Sequence, residues 1–293
     1  PYALALGVMM VVTIWWSAWG TQKEIPHLSQ PPERPRQNPL VQMIGDAKEA
    51  FSNQSFRWLF FGVLIVFIMA GVNGALDLYM LQYFWEFSGE EMLFLQIASI
   101  VGLLLGVFLT APLHKLTSKR FGVLLGTGAW AIFQLIPVVF RLLDWFPENG
   151  TTVLTYTLVV MKFFQGLILQ QAFISFGSMM ADITDEHEYQ SGVRQEGIFF
   201  GAIAFSSKAT SGFGNFVGGI GLDIISWPRG ADIKTAADIP ADTLVNLGLL
   251  YGPVVAAFAV ISLWCYSHYK LTRQRHEEIL KELRLRRERG SST

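Results

Sequence analysis

Long apolar runs separated by short polar stretches dominate the sequence. Seven segments each contain about 20 mostly apolar residues, the length that a helix needs to cross the hydrocarbon core of a bilayer. They are residues 2–21, 58–79, 92–113, 121–140, 152–180, 197–225 and 244–269. A soluble helical protein could bury one such helix, but not seven in succession. The pattern therefore predicts an all-α membrane protein.

A polar stretch, residues 22–56, separates the first two segments and is rich in proline and charge (HLSQPPERPRQNP). It predicts a solvated linker that ends in a short amphipathic helix at about residues 40–51. Its four Lys and Arg residues favour the cytoplasmic side of the membrane, and the tail from Lys270 onward contains eight more. Alternation of the helices then places the N-terminus outside and the C-terminus in the cytoplasm.

Composition agrees with a membrane protein and argues against several other functions. Only 15% of the residues are charged, against about 25% in soluble domains. The net charge of −1 gives no indication of nucleic-acid binding, and we expect none. A single cysteine, Cys265, excludes an internal disulfide and argues against a structural zinc site. No Walker loop, nucleophile elbow or paired catalytic constellation is visible, so we expect neither an enzyme nor a cofactor or metal site.

One lysine, Lys208, lies about eleven residues into the sixth segment. At ~1.5 Å per residue it is ~16 Å from the helix end, near the middle of a hydrocarbon layer ~30 Å thick. A lysine at that depth costs roughly 2.5–3.5 kcal/mol on insertion scales, and it usually faces a water-filled cavity or a carboxylate. We therefore expect Lys208 to border an ion or substrate pathway.

Three further charged residues, Asp77, Lys162 and Asp223, interrupt apolar segments. Lys162 lies about ten residues into the fifth segment. It either lines the same pathway or, if the helix begins nearer Tyr156, extends outward to the interface. Asp77 is near the outer end of the second segment, where an interfacial position is favoured over a pairing with Lys162.

A charged connector is predicted at residues 181–196, between the fifth and sixth segments. Asp182, Asp185 and Glu188 are spaced three apart, on one face of the helix end. An exposed acid at a helix C-terminus interacts unfavourably with the helix dipole and destabilises the helix by ~0.3–1 kcal/mol. Nearby cations should therefore compensate these acids. Arg194 is the nearest cation, and the only Lys or Arg against five acids. Ion pairs that close the cytoplasmic mouth would explain the pattern, and a solvated loop is the alternative.

The C-terminal tail (RQRHEEILKELRLRRERG) predicts a basic amphipathic helix. Its apolar side contains Ile279, Leu280 and Leu283, with Leu285 at the margin. Attraction to anionic lipid contributes ~1 kcal/mol per nearby cation, so anchoring of the topology is the expected role and a partner site is the alternative.

Small residues cluster after Lys208 at positions 212, 214, 218, 219 and 221. Gly214 and Gly218 have the GxxxG spacing, as do Gly102 and Gly106 in the third segment. This spacing predicts that helix backbones approach closely.

Seven segments suit a fold of two six-helix halves only if the chain is a fragment. The first apolar run is under way at Tyr2, and no basic region precedes it as in a signal peptide. If that run is the sixth helix of a larger protein, the other six segments form a second half, as in the major facilitator architecture. We expect residues 1–21 to end the first half, 22–56 to form the central cytoplasmic loop, 57–269 the six-helix bundle and 270–293 a basic tail. The N-terminal half is then an expected partner.

Two stretches, MMADITDEHEYQSGVRQEGIFF and SSKATSGFG, carry a resemblance to a known family. They resemble the glycoside–pentoside–hexuronide:cation symporters of the major facilitator superfamily, which include the melibiose permeases. The shared features are spaced acids, a T/S-G-x-R-x-E-G pattern and a lysine in the eleventh helix. The stretch TAPLHKLTSKRFG is similar to the family's short loop between helices eight and nine. The resemblance covers essentially the whole chain, as helices six to twelve.

The resemblance implies roles for individual residues. Lys208 matches the helix-eleven lysine that lies beside the sugar and cation sites. The connector charges that match those implicated in cytoplasmic closure are Asp182, Asp185, Glu188, Arg194 and Glu196. Ala204 stands where melibiose permeases have a threonine, which leaves the sugar open. Asp77 and Lys162 match no family feature, and the family's cation-binding aspartates lie on helices two and four, outside this chain. We therefore expect that the chain by itself does not transport.

The resemblance implies transport of a sugar, glycoside or related polar solute with Na⁺ or H⁺, by alternating access in a bacterial inner membrane. The implied partners are the solute, the coupling cation and membrane lipid. Two alternatives are a carrier of the same superfamily for an amphipathic lipid-like solute, and a genuine seven-helix receptor-type protein. Against the receptor, the longest inner loop follows the first helix, and Cys265 cannot form an outer disulfide. The sequence does not specify the solute, the coupling ion, the direction of transport or the oligomeric state.

Overall fold

The computed structural model describes residues 2–27, 39–228, 233 and 235–290, and these residues form helices and turns with no strand. The helices are α1 Tyr2–Thr21, α2 Pro39–Ala50, α3 Gln54–Tyr79, α4 Gly89–Leu116, α5 Lys119–Leu142, α6 Thr152–Ser191, α7 Glu196–Ile224, α8 Ala241–Leu249, α9 Val255–Ser267 and α10 Arg273–Gly290. Short 3₁₀ helices lie at Gln22–His27 and Ala236–Asp238, and π-helical turns at Met80–Phe84 and Leu250–Val254. The prediction of an all-α protein is confirmed.

Within the described part of the chain, six helical stretches are long and apolar enough to cross a membrane. They are Tyr2–Pro26, Gln54–Phe84, Gly89–Leu116, Lys119–Leu142, Thr152–Ser191 and Ala241–Ser267. The remaining predicted segment forms α7, which has 29 residues and at ~1.5 Å per residue is longer than the ~30 Å hydrocarbon layer. Its glycines, serines and Lys208 make it less apolar than the other six. The chain is an integral membrane protein.

The structure divides into two compact units, Pro1–Met43 and Ile44–Thr293. The boundary falls inside α2, the short helix predicted at residues 40–51. In the first unit, α1 has no buried residue. The second unit contains α3 to α10 and both hydrophobic clusters. All side-chain contacts described below belong to this second unit.

Polar caps determine where several of these helices begin. Asn53 accepts a hydrogen bond from the backbone N–H of Phe56 at the start of α3. Ser88 and Glu91 form a reciprocal capping box at the start of α4. Ser118 accepts from the N–H of Phe121 at the start of α5. Each cap pairs a backbone donor that the first helical turn leaves without a partner.

Helix α6 contacts both α4 and α5, and it approaches α4 through glycines. A β-carbon on Gly102 of α4 would overlap the carbonyl oxygen of Phe163 on α6. A β-carbon on Gly166 of α6 would likewise overlap the carbonyl oxygen of Ser99 on α4. Small residues allow such close backbone packing between membrane helices. The GxxxG prediction for α4 is therefore confirmed.

The glycines of α7 divide into two groups. A β-carbon on Gly214 would lie 2.6 Å from the Cα of Gly71 in α3, and one on Gly218 would lie 2.6 Å from the Cβ of Ala75. This pair packs α7 against α3, as predicted. Gly212 and Gly219 have nothing within 4 Å of an added β-carbon. For these two the packing prediction is wrong, because they lie on the opposite, uncovered face of α7.

The tail helix α10 packs on the protein itself. Ile279 and Leu283 are buried, at 1% and 5% exposure, in the cluster formed by the ends of α3, α6 and α7. The guanidinium of Arg286 lies 4.6 Å from the ring centroid of Tyr189 on α6, and Leu285 stays 43% exposed. The amphipathic helix was predicted correctly, but its apolar residues Ile279 and Leu283 face the bundle, because the helix packs along the polar end of α6.

Substitution of Gly102 by alanine should force α4 and α6 apart. Since the new methyl group meets backbone that cannot move by itself, we expect a loss of ~1–3 kcal/mol of stability. Thermal unfolding of the detergent-solubilised chain would measure this as a lower midpoint. Gly74→Ala is the matched control, because its β-carbon meets nothing within 4 Å and alanine favours helix. An equal effect of both substitutions would contradict the close packing.

Substitution of Ile279 by alanine should release α10 from the bundle. Removal of a buried isoleucine side chain typically destabilises by about 2–5 kcal/mol, whereas Leu285→Ala changes a side chain that is 43% exposed. Trypsin cleavage after the Lys and Arg residues of α10 should become much faster in the Ile279 variant only. If both variants are cleaved at the rate of the unmodified chain, α10 does not depend on this contact.

Candidate functional site

The charged connector is mainly helical. Helix α6 continues to Ser191, so residues 181–191 form its last three turns, and only residues 192–195 separate it from α7. Gly192 ends α6 in the left-handed conformation, with φ 76°, which glycine adopts without strain. Asp182, Asp185 and Glu188 therefore lie at the end of a helix, as their spacing predicted, and the connector predicted at residues 181–196 is only four residues long.

Arg194 lies among three carboxylates. It contacts Asp185 at 2.7 Å, Glu188 at 2.9 Å and Glu196 at 2.6 Å. Partial burial by itself lowers the pKa of Arg194, but the hydrogen bonds to these acids outweigh it and raise that pKa above its usual value. The guanidinium therefore remains charged. The compensation that the acid spacing required is present in the structure.

Three more side chains contact the acids at the end of α6, one from α5 and two from α10. The Nζ of Lys119, at the start of α5, lies 2.7 Å from both carboxylate oxygens of Asp182. On α10, His276 Nε2 lies 2.9 Å from Asp185 and Arg287 lies 2.7 Å from Glu188. We refer to this cluster as the charged end. Its members are Lys119, Asp182, Asp185, Glu188, Arg194, Glu196, His276 and Arg287.

Burial explains why the charged end needs so many partners. The side chains of Asp182, Asp185 and Glu188 are only 11%, 14% and 13% exposed. A carboxylate that loses most of its water is stable only when ion pairs and hydrogen bonds replace it. Their cations are more exposed, with Lys119 at 35% and Arg194 at 42%. Sequence reasoning missed Lys119, His276 and Arg287 because they lie 63, 91 and 99 residues from the acids that they contact.

A buried histidine lies beside the charged end and was also missed. His187 is 3% exposed, and its Nε2 lies 3.2 Å from the amide oxygen of Gln195 and 3.5 Å from Glu49 of α2. The amide of Asn53 donates to the adjacent Glu186 at 2.9 Å. These contacts hold the junction of α2 and α3 against the same end of α6. The signal in the sequence is the unbroken run of polar residues from Asp185 to Gln190.

Lys208 lies on an uncovered face of α7. The positions that share this face, at helical spacing, are Gly201, Ala204, Lys208, Gly212, Asn215 and Gly219, and all six are exposed. No hydrogen bond or ion pair of Lys208 occurs among the described residues. A mid-helix lysine on a face of small and polar residues has the chemistry of a wall around an aqueous cavity. The charged end and this face are parts of one helix–helix unit, because α7 follows α6 after four residues.

Lys162 and Asp77 do not form a pair. Asp77 instead accepts a hydrogen bond of 2.6 Å from the hydroxyl of Tyr251, in the π-helical turn between α8 and α9. Lys162 is ten residues into α6, which begins at Thr152, and it lines a small internal space of about 30 Å³. Gln134 shares that space and donates to the carbonyl of Tyr251 at 2.9 Å. Lys208 is not part of the wall of this space.

Comparison with known proteins identifies the family of the chain. Residues 2–273 match the family model described as MFS/sugar transport protein. The chain is 28% identical over 207 residues to the "Uncharacterized symporter YjmB" of Bacillus subtilis, which covers 70% of this chain and 42% of that protein. It is 22% identical over 250 residues to the "Uncharacterized symporter sll1374" of a Synechocystis strain, with 85% and 44% covered. The chain thus spans less than half the length of each relative. Since the family match extends over nearly the whole chain, the protein belongs to the MFS/sugar transport family.

Proposed function

We propose that the chain is the C-terminal part of a symporter that moves a sugar, glycoside or related polar solute with Na⁺ or H⁺. The observation that carries this proposal is the family match over residues 2–273. Both relatives are called symporters, and the family description specifies sugar transport. Transport would proceed by alternating access, with two halves rocking around a midplane cavity.

The charged end is the proposed inner gate. Its ion pairs connect α5, α6, the α6–α7 junction and α10 at one end of the bundle. The carboxylates of these pairs are 11–14% exposed, so a transport cycle that breaks the pairs has to replace the lost cations with water or with other donors. Asp182, Asp185, Glu188, Arg194 and Glu196 would hold one state closed. Release of Arg194 would free α7 to move relative to α6.

The face of α7 around Lys208 is the proposed border of the solute and cation pathway. Its small residues leave room for a polar solute, and the ammonium group supplies a charge that can pair with carboxylates of the other half. Lys162 would act from α6, where Gln134 and Gln165 provide further polar groups around the same internal space. Both assignments rest on the position and surroundings of the two lysines.

The charged end is the proposed cytoplasmic side of a bacterial inner membrane. Lys115 lies there in the last turn of α4, and Lys119 and Arg120 in the first turn of α5. The eight Lys and Arg residues of the tail begin there at Lys270. The positive-inside rule favours this orientation. Membrane lipid and an N-terminal half of the same protein are the proposed partners.

A second candidate solute is an amphipathic lipid. The observation that favours it is a row of aromatic side chains next to the Lys208 face, where Phe205, Phe213 and Phe216 are 74%, 52% and 64% exposed. Acyl chains could lie along such a row while Lys208 contacts the headgroup. Uptake of labelled sugars and of labelled lysophospholipid, each under an imposed Na⁺ or H⁺ gradient, separates the two candidates. Absence of gradient-driven uptake for both would overturn the symporter proposal.

Substitution of Lys208 by alanine should reduce gradient-driven uptake by at least about tenfold, equivalent to ~1.4 kcal/mol. The reason is the loss of the charge that borders the pathway. The measurement is initial uptake in vesicles that contain the complete transporter with this chain. Lys281→Ala, an exposed lysine of α10, is the control and should leave uptake unchanged. Normal coupled uptake by the Lys208 variant would remove this residue from the pathway.

Substitution of Arg194 by glutamine should impair transport more than solute binding. Asp185 and Glu188 would lose a shared partner, so the closed inner gate would be less stable. We expect a several-fold lower uptake rate with a solute Kd within about twofold of the original. Arg286→Gln removes the same charge at the same end, but its guanidinium donates only to the carbonyl of Tyr189 and lies over that ring. Equal losses in both variants would argue for general electrostatics and against a specific gate.

A further inference from the structure

A cavity of about 750 Å³ opens beside the charged end. It lies between the end of α4, the start of α5, the end of α9 and the start of α10, all within the larger unit. Its size is that of a small-molecule site. The proposed transport function assigns no role to it.

The wall of this cavity carries an excess of positive charge. Five of its residues are Lys or Arg, namely Lys115, Lys119, Arg120, Lys270 and Arg273, and two are acids, Asp182 and Glu277. Each acid already has a partner in the wall, since Asp182 pairs with Lys119 and Glu277 with Arg273. Lys115 and Lys270 have no carboxylate partner among the described residues. The wall therefore offers two unpaired ammonium groups to a ligand.

Backbone groups add to the positive potential. The helices α5 and α10 both begin at the cavity, where Ser118, Lys119, Thr272 and Arg273 are part of its wall. The N-terminus of a helix carries a partial positive charge and free N–H donors, which favour anions. Tyr269 also belongs to the wall, and its buried hydroxyl has no hydrogen-bond partner in the described part of the chain.

The cavity lies at the level where a membrane ends. Helix α4 ends at Leu116 and α9 at Ser267, and His268 of the wall stacks on Trp58 at 4.7 Å and contacts Trp264. Tryptophans of this kind mark the headgroup region of a bilayer. Both a lipid headgroup and a solute from the aqueous phase can therefore reach the cavity.

We propose that this cavity binds a phosphate group, with Lys115 and Lys270 as its main ligands. The group belongs either to an anionic phospholipid headgroup or to a soluble phosphate. In this arrangement Lys119 can donate either to the bound phosphate or to Asp182, because it lies in the wall of the cavity and also pairs with Asp182. A bound phosphate would draw Lys119 away from Asp182, so loss of the Asp182 charge should strengthen phosphate binding.

The test is a ligand titration of the detergent-solubilised chain, monitored by the midpoint of thermal unfolding. A ligand that binds the folded state raises this midpoint. One arm uses inorganic phosphate at constant ionic strength. The other uses short-chain phosphatidylglycerol, compared with phosphatidylcholine of the same chain length. Saturation by inorganic phosphate identifies a soluble source, and saturation by phosphatidylglycerol alone identifies the headgroup. The proposal fails if neither probe gives a saturable shift.

Two double variants distinguish a specific binding site from general electrostatic attraction. The double variant K115Q/K270Q should weaken binding at least about tenfold, because charge-assisted hydrogen bonds are lost. The control K48Q/K281Q removes the same charge from exposed lysines outside the cavity and should change the Kd less than about twofold. Equal weakening in both double variants would overturn the proposal.

Asp182→Asn tests the shared role of Lys119. It should tighten phosphate binding several-fold, because the competing carboxylate is removed while the side-chain shape is kept. Unliganded midpoints of all variants establish that they fold. An Asp182 variant with unchanged or weaker phosphate binding would overturn the competition for Lys119.

Discussion

Neutralisation of the carboxylates at the end of α6 is the constraint on which the charged end depends. Asp182, Asp185 and Glu188 are each less than 15% exposed at the side chain, and desolvated carboxylates require partners. Those partners come from the start of α5, from the α6–α7 junction and from α10. The tail helix, which also buries Ile279 and Leu283, supplies two of these partners, His276 and Arg287.

In the rest of the larger unit, α6 packs on α4 and α5, whereas α7 packs mainly on α3. Glycines bring α4 within backbone contact of α6, and α5 packs beside it. Helix α7 contacts α3 far more than α6, and it connects to α6 through four residues and the contacts of Arg194. Helix α6 is thus packed tightly on α4, and α7 on α3, which suits the proposed gate.

The phosphate cavity and the proposed gate share Lys119, Asp182 and His276. Competition between a bound anion and a carboxylate for one ammonium group would link occupancy of the cavity to the strength of the gate. Such a link is thermodynamically reciprocal, so the state of the gate would also alter affinity for the anion. This connection rests on both the proposed transport function and the proposed phosphate site.

The sequence by itself determined the membrane class, the positions of the long helices and of α2, and the amphipathic character of the tail. It also determined that Arg194 compensates the acids at the end of α6. These depend on hydropathy and on spacing within one helix, which are local properties. Only the tertiary structure decided that the connector is four residues long, that Ile279 faces the bundle, that Asp77 pairs with Tyr251 and that Lys119, His276 and Arg287 meet the acids. Those outcomes depend on contacts between residues far apart in the chain, and no local pattern encodes them. The same reason separates Gly214, which packs on α3, from Gly212, which faces open space.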